Sequence, residues 1–126
     1  MLTLLIDDNT IDLFLNQRML ELTGIVSEFK TFASSMDALN YFAEPGDNFI
    51  QPDLVLLDIQ MPEPNGFQFL KKLCEVYTNG IPFKIFLLSS TINNADLEEA
   101  ESIVPSITLL EKPLNTTILK QYLTTI

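Results

Sequence analysis

The chain has 126 residues, 47 % of them hydrophobic, with 17 acidic against 7 basic side chains, a formal net charge of −10, and no histidine or tryptophan. That length suits one domain able to bury roughly two-thirds of its unfolded surface, and the charge argues against general nucleic-acid binding or docking on anionic lipid, because both polyanions repel it. Without histidine there is no Ser-His or Cys-His nucleophilic pair, no His-ligated metal and no phosphohistidine relay within the chain. Chemistry here has to rest on carboxylates, hydroxyls, lysine and backbone groups.

The elements follow in chain order. "LTLLI" (2–6) reads as a first strand ending in the acid pair Asp7-Asp8. Thr10 to Thr23 reads as a helix, with Gly24 as the residue that ends it. "SEFKTF" (27–32) alternates as a second strand, and Ser34 caps a helix that sets Leu39 and Phe42 on one face. A turn-rich loop (44–53) leads to "LVLLD" (54–58), the most apolar strand and hence the expected centre of the sheet. Two prolines make "IQMPEPN" a loop. A helix over 66–77 and a strand over 83–90 come next. A helix capped by Asn93 or Asn94 follows, then "SITLLE" (106–111) as the fifth strand. Lys112-Pro113 breaks that strand, and "NTTILKQYLTTI" is the last helix.

Five β-then-α units with near-continuous apolar strands predict an α/β fold. The expected architecture is a doubly wound, five-stranded parallel sheet, (βα)5, with helices on both faces. The expected organisation is one domain over residues 1–126 without an output domain. No apolar run reaches the roughly 18 residues that span a bilayer, and the start lacks a signal-peptide pattern. The single cysteine, Cys74, reads as a small apolar helix residue, and a reducing, cytoplasmic setting is expected.

In such sheets, function gathers at the carboxyl ends of the strands. Those ends carry Asp7 and Asp8, Asp58, Ser89 and Ser90, and Glu111 and Lys112. Three carboxylates meeting there repel one another unless a cation joins them or a proton is taken up. An all-oxygen set suits a hard ion such as Mg2+. A carboxylate nucleophile, a metal, a lysine and a hydroxyl together fit phosphoryl transfer to an aspartate.

The acid pair Asp7-Asp8, the segment "DIQMPEPNG" (58–66), Ser89 after "IFLL" and the "KP" at 112–113 occur in the order seen in receiver domains of two-component response regulators. The whole chain resembles that family, which implies the flavodoxin-like strand order 2-1-3-4-5. The resemblance implies that Asp58 accepts a phosphoryl group from a histidine kinase or histidine phosphotransfer protein. Asp8 would bind Mg2+ directly, Asp7 mainly through water, and the backbone carbonyl of Gln60 would be a further ligand. Lys112 would contact the phosphoryl oxygens, and Ser89, or else Ser90, would hydrogen-bond the phosphate once its loop moves inward. It further implies a cis Lys112-Pro113 bond, a single-domain switch acting on an unknown downstream protein, and a monomer or weak dimer. Such a protein is not a conventional enzyme, although it assists its own phosphorylation and dephosphorylation.

The sequence also departs from the family pattern. Leu109 stands three residues before the lysine, where many receivers have Tyr or Phe, and "VPS" (104–106) replaces the usual glycine before the fifth strand. Leu109 motivates a second reading, a protein-binding module that works without phosphate. A haloacid-dehalogenase-like phosphatase would need a second aspartate where Gln60 stands. A flavin binder would need a phosphate-cradling loop, which is missing. Gly66 is expected to supply a permissive backbone and nothing more.

Overall fold

The computed structural model describes residues 1–124. Strands β1 (Leu2–Ile6), β2 (Glu28–Phe32), β3 (Leu54–Asp58), β4 (Lys84–Ser89) and β5 (Thr108–Glu111) alternate with helices α1 (Thr10–Leu22), α2 (Ser35–Ala43), α3 (Gly66–Val76), α4 (Asn94–Ile103) and α5 (Thr116–Leu123). The strands form one parallel sheet in the order β2-β1-β3-β4-β5. The α/β architecture and strand order are those expected from the sequence. The last helix was expected to reach residue 126; its final two residues lie outside the described residues.

Burial follows position in the sheet. Every residue of the central strand β3 is buried, whereas the edge strand β2 is largely exposed. Alternation of side chains divides the core into two layers. Leu4, Ile6, Val55, Leu57, Ile85 and Leu87 pack beneath α2, α3 and α4. Leu5, Leu54, Leu56, Phe86, Leu88 and Leu110 pack beneath α1 and α5. At about 25 cal/mol per Å2 of buried apolar surface, each fully buried Leu or Phe contributes on the order of 1.5–3 kcal/mol.

Each helix starts on a polar side chain that accepts from its first turn. Asn9, Ser34, Asn65, Asn93 and Asn115 do so for α1 to α5. The choice left open between Asn93 and Asn94 falls to Asn93, whose Oδ1 accepts from the Asp96 N–H at 2.8 Å. Asn65 and Gln68 make a reciprocal capping box. Gly24 ends α1 with φ +72°, the left-handed region that favours glycine. Lys112-Pro113 is cis as expected, and Glu63-Pro64 is cis as well.

Gly66 corrects an expectation. Its backbone N–H donates to the Ile59 carbonyl at 2.9 Å, so the start of α3 presses on the end of β3. A Cβ there would lie 2.7 Å from Ile59 Cα and 2.8 Å from the Asp58 carbonyl oxygen. The position requires the absence of a side chain, not freedom of φ. Gly66→Ala is expected to destabilise the fold by about 1–3 kcal/mol through this overlap, read as a lower urea midpoint.

Candidate functional site

The register of the sheet builds the site. Ile6 lies opposite Leu57, so Asp7 and Asp58 leave neighbouring strands side by side. Asp7, Asp58 and Lys112 share the alternation phase of Leu5, Leu56 and Leu110, so all three fall on the α1/α5 side of the sheet. The Lys112 backbone N–H donates to the Ser89 carbonyl at 2.8 Å, which fixes the chain where β5 ends.

From there the Lys112 ammonium reaches inward. It donates to Asp7 Oδ2 at 2.7 Å and to Asp12 Oδ2 at 2.9 Å, and it lies 3.3 Å from Asp58 Oδ1. Asp7 is 1 % exposed and Asp58 is 5 % exposed. The other oxygen of Asp7 accepts the Asn9 N–H at 2.9 Å, so that carboxylate is held at both ends. Asp8 is exposed and has no side-chain partner among the described residues. One oxygen each from Asp7, Asp8 and Asp58 lie within 4.8 Å of one another.

The electrostatics follow from this crowding. Burial, together with the neighbouring Asp7 charge, raises the Asp58 carboxyl from 3.8 to about 6, although Lys112 and the Gln60 N–H favour the ionised form. Burial works against the Lys112 ammonium. The hydrogen bonds to Asp7 and Asp12 and the charges of Asp58 and Asp7 outweigh it and hold lysine well above its usual range. Lys112 is therefore a permanent cation, and its single charge does not neutralise the acids around it. The donor set is all oxygen, and Asp58 retains a penalty for being charged. Both features fit a hard divalent cation at Asp7, Asp8 and Asp58.

The sequence-predicted residues are not all brought together. Asp7, Asp8, Asp58 and Lys112 converge. Gln60 sits beside them through its N–H contact with Asp58. The Ser89 side chain does not join the group. It is on the other phase of β4, 1 % exposed, and its hydroxyl donates to the Thr91 carbonyl at 2.7 Å while accepting the Thr91 N–H at 3.3 Å. Ser90 is exposed and borders a cleft of about 390 Å3 with Asp12 and Lys112. Among the described residues no side-chain hydrogen bond links either serine to Asp58. Leu109 is partly buried and packs against the α2/α3/α4 layer.

Sequence reasoning missed Asp12. In the sequence it is an ordinary first-turn acid of α1. The available signal was its place one turn beyond the strand-end acids, on a helix that starts at the functional edge of the sheet.

Comparison with known proteins agrees with this geometry. The family model described as response regulator receiver domain matches residues 3–124. The chain is 30 % identical over 96 residues to two-component response regulator 24 of Arabidopsis thaliana, covering 76 % of this chain and 63 % of that protein. It thus spans somewhat under two-thirds of that relative's length. Among solved structures, a response regulator receiver protein from Dyadobacter fermentans is 32 % identical with a TM-score of 0.79, over 98 % of this chain and 95 % of that one. The receiver domain of the histidine kinase CKI1 from Arabidopsis thaliana, complexed with Mg2+ and BeF3-, shares the fold at 24 % identity and a TM-score of 0.76, over 99 % and 90 % of the two chains. With the family model spanning nearly every described residue, and with a buried aspartate, a lysine and an acid pair meeting at the strand ends of a 2-1-3-4-5 sheet, this chain belongs to the response regulator receiver domain family of two-component signalling.

Proposed function

We propose that the chain is a phosphoacceptor that takes a phosphoryl group onto Asp58 from the phosphohistidine of a partner kinase or phosphotransfer protein. An Asp58 carboxylate oxygen attacks phosphorus, the P–N bond breaks, and the departing imidazole nitrogen takes up a proton. The product is an aspartyl phosphate on Asp58 and a neutral histidine on the partner. The observation that carries this reading is the position of Asp58. It closes a strand buried along its whole length, with Lys112 Nζ 3.3 Å from its carboxylate. Rigid placement and fixed positive charge are most of what phosphoryl transfer asks of a protein.

Asp8, Asp58 and the Gln60 carbonyl would hold Mg2+, with Asp7 acting mainly through water. The ion would offset the negative charge of the transferring group when bound. The Arabidopsis receiver domain was crystallised with Mg2+ and BeF3-, and the acidic cluster of Asp7, Asp8 and Asp58 is the feature of this chain suited to the same ion. Lys112 would donate to a phosphoryl oxygen. Ser89 would do so after its turn with Thr91 opens, and that rearrangement would couple phosphate to the loop before α4. As a receiver domain the chain is a signalling module, and its output is a protein contact or onward transfer of the phosphoryl group. We place it in the cytoplasm; among the described residues no helix is long and apolar enough to cross a membrane.

Incubation with Mg2+ and acetyl phosphate is expected to yield a hydroxylamine-sensitive mass gain of one phosphoryl group on the peptide containing Asp58. An unmodified chain under these conditions would count against the proposal. A second reading, partner binding independent of phosphate, draws on Leu109 and on the closed Ser89 turn. It predicts equal partner affinity for the parent chain and Asp58→Asn, with or without phosphodonor.

A further inference from the structure

Lys112 has three ammonium protons and three carboxylates around it, Asp7 at 2.7 Å, Asp12 at 2.9 Å and Asp58 at 3.3 Å. Two of its donors are engaged, by Asp7 and Asp12, and Asp58 Oδ1 lies 3.3 Å away. A phosphoryl oxygen arriving at Asp58 draws the ammonium toward itself and competes with these two partners for it. Asp58 is the acceptor itself. Asp7 is 1 % exposed and is pinned through its second oxygen by the Asn9 N–H. Asp12 differs from both. Its side chain is 33 % exposed, its carboxylate has Lys112 as its hydrogen-bond partner, and it lies at the open cleft shared with Ser90 and Pro113. Water can replace Lys112 at Asp12 far more cheaply than at the buried Asp7.

We propose that Asp12 is a positioning residue that holds Lys112 in reserve in the unphosphorylated protein, and that Lys112 exchanges Asp12 for a phosphoryl oxygen when Asp58 is loaded. The proposal rests on the phosphoacceptor reading and deepens it. Asp12 acts on the phosphorylated state in two ways with the same sign. It competes for a donor of Lys112, and it adds a negative charge beside the incoming dianion. The phosphoryl state is therefore held less tightly than the other site residues would allow, and Asp12 sets that limit.

The test is calorimetric titration of the parent chain, Asp12→Asn and Asp12→Glu with beryllofluoride in saturating Mg2+, and with Mg2+ alone. Asp12→Asn is expected to bind beryllofluoride about tenfold tighter, the scale of one charge-assisted hydrogen bond released from competition. Its affinity for Mg2+ alone is expected to be no tighter than that of the parent, since the freed lysine turns toward Asp7 and Asp58. Asp12→Glu keeps the charge and is expected to fall back toward the parent value. A general loosening of the fold would weaken both ligands together and would not produce this split. Equal or weaker beryllofluoride binding by Asp12→Asn overturns the proposal, as does equally tight binding by Asp12→Glu. In both cases binding by the parent leaves the phosphoacceptor reading standing. Failure of the parent chain itself to bind beryllofluoride with Mg2+ overturns both.

Discussion

Asp58→Asn is expected to reduce phosphoryl incorporation from acetyl phosphate to background and, at the same time, to make the metal-free protein more stable at neutral pH. The first effect follows from removing the carboxylate that closes β3, 3.3 Å from Lys112 Nζ. The second follows from burial. Asp58 is 5 % exposed, and its carboxyl is raised from 3.8 to about 6. The folded state binds this proton more tightly than the unfolded state does. The Asp58 contribution to stability is therefore fully present below about pH 4 and is lost as pH rises through about 6. At about 1.4 kcal/mol per pKa unit, the penalty carried at neutral pH is about 3 kcal/mol. Asparagine keeps the shape without the charge. Its melting temperature at pH 7 should exceed that of the parent by roughly 10 °C, and the two should coincide near pH 4. Thermal scans across that range, with chelator present, provide the measurement. A melting difference that does not change with pH would show that Asp58 is not held against its charge.

Lys112→Ala is expected to have the largest effect of opposite sign. Lys112 is the one cation that touches Asp7, Asp12 and Asp58 among the described residues, and Asp7 is almost wholly buried. Removing one partner of a buried ion pair leaves an uncompensated charge, which costs about 3–5 kcal/mol. Without the lysine, the Asp58 carboxyl moves still further up, because both of the lowering contributions from Lys112 vanish. The loss should therefore be greatest above pH 6 and shrink as the acids take up protons. A divalent cation can replace the missing charge, so Mg2+ should raise the melting temperature of Lys112→Ala more than that of the parent. Urea unfolding at pH 7 and pH 5, with and without Mg2+, separates these effects. Equal Mg2+ responses in the two proteins would argue against a shared cation site.

Much of this was legible in the residues alone. Five apolar runs, each followed by a helical stretch, define a covered parallel sheet, because period and strand length are local properties of the chain. Asp7, Asp8, Asp58 and Lys112 could be placed at one edge because parallel strands all end on the same side. The centrality of β3 followed from its composition, and it lies third of five.

Other features were settled only when distant segments met. Asp12 looks like a first-turn helix acid until α1 is brought to the residue that follows β5, 100 residues away in sequence, and its carboxylate accepts a hydrogen bond from Lys112. Gly66 looks like a flexible residue until α3 folds back to within contact of Ile59. Local sequence sets which elements form and where polar groups leave the core. Which of those groups compete for one lysine depends on packing between elements remote in the chain, and no periodicity records it.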